Sequence, residues 1–369
     1  MMFPDAALFD YFLLDLADGI RGDPTPLADP LPCDRWIARS AFQKAIRRGE
    51  VALAQRALAN LYGHDPRAIW RHLVIIAVED VGVANVDLLA QIVGAQRDRS
   101  WRISMGGDWS VMAELVRQMA DSNHCQAACD LLLRASNDPA LEPVREWALD
   151  ASMSTLTAAM ADSTLPLVDR GIAALAVGGG LAEGQPHSDP AAVFEVMAEA
   201  GSFSHVVATC KQAWRVSRNP MALLLPLVWQ AWSQAGGTQL VKDDPMVAVQ
   251  LIEGVPGYAL DQFTRTGNQI SRAIIAGDQE LQHLLAQAGI AKSVWPRIVG
   301  DVLFLIEGGT TVKRIAWDKA ELLRHPSRWL PAVATLGHHL PAILRHCQDK
   351  GSQIAKVRPR YLSTSSASQ

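Results

Sequence analysis

Apolar residues recur three and four positions apart along nearly the whole chain, whereas strict alternation is scarce. That periodicity constrains the fold more than any other feature. The punctuation agrees with it. Ser40-Ala-Phe-Gln43 reads as a capping box, and Gly49 closes a short helix whose apolar face is Phe42, Ala45 and Ile46. Asp65-Pro66 supplies an N-cap and a proline at the first helical position, opening a helix that should run to about Asp80 and stop at Gly82. Comparable segments are expected near 85–96, 109–121, 124–135, 139–160 and 164–176. Others follow near 190–200, 203–217, 219–235, 258–276, 278–288, 293–306, 318–324 and 327–348. Thr310 to Ile315 suits a small hairpin in composition but does not outweigh this pattern. The expectation is an all-α chain, a multi-helix bundle or irregular helical array in two lobes.

The division between lobes is placed at the glycine- and proline-rich stretch 177–190, where Gly178, Gly179, Gly180 and Gly184 give flexibility. This gives one helical lobe over 1–176, a second over 191–361, and a disordered tail at 362–369 (LSTSSASQ). The first residues lack a basic n-region and carry Asp5, Asp10, Asp15 and Asp18 among apolar neighbours, an amphipathic helix and not a signal peptide. No run approaches the roughly 18 uninterrupted apolar residues of a membrane span. Five cysteines, odd in number and unevenly spaced, fit reduced thiols in a cytoplasm.

The formal charge of −4 argues against coating nucleic acid by bulk attraction. Its distribution is more telling. Arg35, Arg39, Lys44, Arg47 and Arg48 form a stretch without an acid, and Arg345, Lys350, Lys356, Arg358 and Arg360 face Asp349 alone. Local basic patches on an acidic chain suit phosphate positioning at one site. Tryptophan is abundant, 11 against 4 Tyr and 8 Phe; most should anchor the core, and a few, Trp70 among them, are candidates for stacking on a flat ligand.

Absent motifs narrow the chemistry. There is no G-x-x-x-x-G-K-[ST], no H-E-x-x-H and no G-x-S-x-G, and the run Gly178–Gly184 misses dinucleotide spacing. His124-Cys125 with Cys129 has no second Cys/His pair at matching spacing, so buried thiols are the better reading than a metal site. No cofactor and no metal are expected. Carboxylates, Lys, Arg, Thr and aromatic surfaces are left to carry any chemistry.

Two constellations offer them. In the first, Lys44, Arg47 and Arg48 share a helical face, while the apolar helix from Pro66 carries Arg71 in its middle and ends in Glu79-Asp80. Acids at a helix C-terminus oppose the macrodipole and call for cationic partners. The bland reading is a buried ion-pair network fixing helix packing; the functional one makes Lys44 or Asp80 a tuned nucleophile, acid or base.

Ser40, Ala41, Lys44, Ile46 and Arg47, with Arg71, Leu73, Glu79, Asp80, Val81 and Gly82, form the combination S-A-x-x-K-x-I-R followed by E-D-[IV]-G. Over residues 39–85 this resembles the helical region that follows the ATPase core in the RarA/MgsA/WRNIP group of clamp-loader-related AAA+ proteins. The resemblance implies a helical scaffold, oligomerisation and a DNA setting at replication forks and recombination. The AAA+ module itself is missing, so no ATP-driven action is carried over.

The second constellation lies in residues 256–274, where Asp261, Thr264 and Arg265 fall at i, i+3 and i+4 with Tyr258 and Phe263 beside them and Gly267 allowing a turn. It reads either as a helix with an Asp–Arg pair and Thr264 as a cap, or as a pocket wall with Asp261 as catalytic carboxylate.

A DNA-acting enzyme without ATP, metal or redox cofactor has few reactions open to it, and hydrolysis of an N-glycosidic bond is one. The departing base must leave the stack and be held by its faces. The reading is a DNA base glycosylase, acting on modified bases in genome maintenance or phage defence. Asp261, Asp80 and Lys44 are its catalytic candidates, and Arg47, Arg48, Arg71, Thr264, Arg265, Tyr258 and Trp70 its DNA contacts. The alternative is a non-catalytic replication or recombination accessory that forms homo-oligomers through its clamp-loader-like helices.

Overall fold

The computed structural model describes residues 5–21, 26–237, 240–324 and 331–365. Helices make up most of it, and the strands are two tiny antiparallel pairs, so the chain is all-α as its periodicity requires. Among the described residues no helix is long and apolar enough to cross a membrane. The chain forms two units, each assembled from three separated stretches. Residues 1–26, 67–242 and 313–325 make the first, and 27–66, 243–312 and 326–369 make the second.

The expected division at 177–190 is corrected by this arrangement, because that stretch lies inside the first unit. Gly179, at φ 83°, takes the left-handed conformation that ends the Leu167–Gly178 helix. The Gln185 amide then fastens the loop. Its oxygen accepts from the Leu181 and Ala182 N–H groups, and its nitrogen donates to the Ala176 and His187 carbonyls. Glycine here serves a helix cap, not a hinge.

The core of the first unit is the pair Leu167–Gly178 and Met221–Gln234, buried on nearly every face and surrounded by the Ala127–Asn137, Pro190–Glu199 and Ser204–Ser217 helices. The helix opened by Pro66 is α-helical only to Ile76. Ala77–Val81 then widen into a π-helical turn closed by Gly82, at φ 54°, where any side chain would strike the Cys125 carbonyl. The segment expected over 139–160 divides into Glu142–Asp150 and Met153–Ala161, since the Ser152 hydroxyl caps the second by accepting from the Thr155 N–H. The helix expected at 124 starts at Ala127, because His124 is drawn into a β-bridge with Arg314. Arg314–Ala316 itself pairs with Leu240–Lys242 and not with its own neighbours.

In the second unit, Arg35–Arg47 and Val51–His64 pack as a helical hairpin across Gly49. Asp34, not Ser40, caps the first of these, accepting from the Trp36 and Ile37 N–H groups at 2.7 and 3.1 Å. Ser40 is thus inside the helix, with its hydroxyl free for another use. The helix expected over 258–276 is instead a 3₁₀ turn, Gly257–Ala259, a break, and a helix over Arg265–Gly277. That helix packs on Trp295–Leu303, which continues as a second π-helical turn, Phe304–Gly308. Of the segment expected at 327–348, residues 325–330 lie outside the described residues, and Pro331–Ala334 and Leu340–Asp349 are helical. Pro359–Ser365 is also helical, which corrects the start of the expected tail; 366–369 lie outside the described residues.

Candidate functional site

Asp34 sets the register of the Arg35–Arg47 helix, and with it the placement of Ser40 and Lys44 one turn apart. The Lys44 ammonium donates to Ser40 Oγ at 2.7 Å and to Asp261 Oδ2 at 2.5 Å. The Phe263 and Phe304 ring centroids lie 5.4 and 5.7 Å from the same nitrogen, a cation–π arrangement for the third N–H direction. The two rings meet edge to face at 5.4 Å. The lysine and aspartate side chains are only 5% and 2% exposed, whereas Phe263 is 63% exposed. Burial pulls the Lys44 amine below the usual lysine range, with Asp261 opposing that pull.

Asp261 is held by the chain around it. Its Oδ1 accepts from the Phe263 N–H at 3.2 Å, and its carbonyl accepts from Thr264 Oγ at 3.2 Å. Thr264 caps the Arg265–Gly277 helix through the Gly267 N–H at 2.9 Å. Three glycines permit this packing. A Cβ on Gly267 would collide with the Asp261 backbone, one on Gly300 would stand 2.8 Å from Gln262 Cβ, and one on Gly308 would stand 3.0 Å from Lys44 Cδ and Cε.

Arg47 and Arg48 turn inward. Arg47 Nη1 donates to the Gly308 carbonyl at 3.0 Å, and Arg48 Nη1 to the Glu307 carbonyl at 2.8 Å. Both therefore satisfy carbonyls that a helix C-terminus leaves without partners. Arg48 also donates to Glu50 and to the Val247 carbonyl, each at 2.9 Å, and lies 4.9 Å from the Tyr258 ring centroid. The Tyr258 hydroxyl donates to Glu50 Oε2 at 2.5 Å. Arg265 is exposed at the start of its helix.

The structure thus brings together Lys44, Asp261, Thr264, Arg47, Arg48 and Tyr258 in the second unit. Asp80, Arg71 and Trp70 belong to the first. Asp80 is fully buried and accepts from Gln126 Nε2 at 2.7 Å, while Arg71 donates to the Ser217 carbonyl at 3.0 and 3.2 Å. Trp70 is buried, with the Arg102 guanidinium 4.8 Å from its ring. The network expected from Lys44 through Arg71 to Glu79 is therefore divided between two units.

Sequence reasoning missed Phe304 and Asp301. Asp301 is 3% exposed, and burial raises its carboxyl to about 6, with Arg297 opposing and the charge of Asp261 adding to the rise. Gln262, between Asp261 and Phe263, has both amide atoms buried without a hydrogen-bond partner among the described residues. Its place beside Asp261 was a local signal; for Asp301 there was none. Among the described residues no group of three His, Cys, Asp or Glu side chains could hold a metal ion.

Comparison of the chain with family models, with curated proteins and with solved structures finds no match.

Proposed function

We propose that the chain is a DNA base glycosylase whose catalytic pair is Lys44 and Asp261. The observation that carries this reading is a lysine amine held below its ordinary range, 2.5 Å from a carboxylate that can take its proton, with an exposed phenylalanine ring beside it. In the step proposed, the Lys44 ammonium first gives a proton to Asp261, and the neutral Nζ then attacks C1′ of the sugar. The glycosidic electron pair leaves with the base, which takes a second proton from the alkylated Nζ. Asp261 returns its proton to the ring oxygen as the adduct opens to a protonated imine, and water hydrolyses this to an abasic sugar and the lysine ammonium. The step uses neither ATP nor a metal ion. Phe263, the exposed ring over Nζ, is the surface on which an extruded base stacks. Modified bases, in genome maintenance or phage defence, are the substrates this reading favours.

The experiment is incubation of the purified chain, in chelator, with genomic DNAs carrying ordinary and modified bases. Released bases are read by mass spectrometry, and abasic sites by alkali cleavage. Borohydride should trap a covalent protein–DNA adduct, and both release and adduct should vanish in Lys44→Arg and Asp261→Asn. Release without a trapped adduct would move the nucleophile from Lys44 to water. No release from any DNA sinks the reading.

The near-complete burial of the pair favours a second reading, in which it is a structural tie in a non-catalytic replication or recombination accessory. The RarA/MgsA/WRNIP-like stretch supports that role, and homo-oligomerisation on DNA would be its signature.

A further inference from the structure

A second feature of the same unit uses neither Lys44 nor Asp261. A pocket with a cavity volume of about 80 Å³ is lined by Arg48, Tyr258, Leu303, Ile306, Glu307 and Arg358, among others. Its donors are unequally spent. Arg48 is engaged on all three nitrogens, by Glu50, by the Glu307 carbonyl and Thr310, and by the Val247 carbonyl. Arg358 is 1% exposed, and among the described residues its Nη2 alone is engaged, on the two oxygens of Glu307 at 3.0 and 2.8 Å. The Arg358 Nε–H is buried and has no hydrogen-bond partner among the described residues. A guanidinium carries five N–H donors, and a buried one left idle is costly. Gly257 lies against this group: a Cβ there would strike Nη1.

We propose that this pocket binds a small carboxylate with an apolar body. The carboxylate shares Arg358 with Glu307, and the body lies against Tyr258, Leu303 and Ile306. The choice of a single charge follows from the ion pairs: Glu307 shares Arg358 and Glu50 shares Arg48, so repulsion grows with the ligand's charge and a dianion such as phosphate meets about twice that of a carboxylate. Val247, Val249, Tyr258, Leu303 and Ile306 in the lining suit a hydrocarbon body. This inference stands apart from the glycosylase reading, since neither member of the catalytic pair lines the pocket.

The test is calorimetric titration of the full chain with benzoate, with benzamide as the neutral isostere and with inorganic phosphate. Saturable binding of benzoate, with neither benzamide nor phosphate binding, is the expected result. Arg358→Lys keeps the ion pair with Glu307 but removes the fork, and should weaken benzoate by about tenfold or more. A side chain added at Gly351, which lines the pocket and has nothing within 4 Å of its Cβ position, should block the site without disturbing the fold. Gly351→Leu is therefore the second variant, and it decides the matter if Arg358→Lys fails to fold. No benzoate binding, equal binding of benzamide, binding of phosphate alone, or undiminished binding by folded Gly351→Leu would each overturn the proposal.

Discussion

At the scale of the residue, the buried titratable groups of the second unit carry the sharpest predictions. Asp301 titrates at about 6 in the folded chain against 3.8 for an ordinary aspartate, so the folded state binds this proton more tightly. Its contribution to stability is present below pH 3.8 and is lost as the pH rises through 6, an effect of roughly 3 kcal/mol. Asp301→Asn should flatten the stability profile between pH 4 and 6 and leave the variant more stable than the parent at pH 7.5. Urea unfolding across that range checks it, and parallel profiles would refute it. Lys44 offers a second test. Lys44→Met strands a buried carboxylate and should cost about 3–5 kcal/mol, of which a further Asp261→Asn change should restore a part. Denaturant unfolding of both variants reads the difference; equal losses would show that the cost of Lys44→Met is not that of a stranded carboxylate. Lys44, Asp261 and Tyr258 were legible from the sequence because each stands in a local cluster with a chemical sense. Arg358, Glu307 and Phe304 were not, since their partners lie far along the chain and no local pattern links them.

At the scale of the element, the basic helical face around Arg47 and Arg48 is a capping device. Two guanidinium groups reach the carbonyls of Glu307 and Gly308, at the end of the π-helical turn that follows Trp295–Leu303. The sequence shows a cationic face but cannot say whether its charge serves phosphates or backbone carbonyls; helix termini create the same demand as an anion. Helix existence was legible almost throughout, and helix ends less so. Ser40 has every credential of an N-cap, yet Asp34 holds the position because the helix begins a turn and a half earlier. Gly267 resembles a turn residue for the same reason, but it sits in the first turn of Arg265–Gly277, against the Asp261 backbone. Gly267→Ala should therefore destabilise by about 1–3 kcal/mol or more, the scale of overpacking a filled site. Gly277→Ala, at the open end of the same helix, should be neutral or mildly stabilising. A thermal melt of each variant compares them directly.

At the scale of the whole molecule, the overall charge of −4 conceals an asymmetry. The second unit holds 16 basic and 13 acidic residues, a net +3, and the first holds 18 and 25, a net −7. If the chain contacts DNA as proposed, phosphate contacts belong to the positive unit, and the exposed Arg265 and Arg272 on one helix are their nearest candidates to Phe263 in sequence. Replacing both with Gln should reduce the slope of log affinity against log salt by about 2, read by a filter or anisotropy titration. An unchanged slope would remove this helix from the interface. The asymmetry was hidden in the sequence because each unit is discontinuous: a glycine-rich stretch is visible to the eye, while a chain that passes five times between units leaves no compositional mark. That threading also has a temporal consequence. Lys44 leaves the ribosome 217 residues ahead of Asp261, a wait of roughly 10–40 s at ordinary elongation rates. Arg358, which secures Glu307, emerges later still. Throughout that interval the Arg35–Arg47 and Val51–His64 hairpin has its apolar face made and its partners unborn, so nascent-chain protection is a requirement written into the order of the sequence.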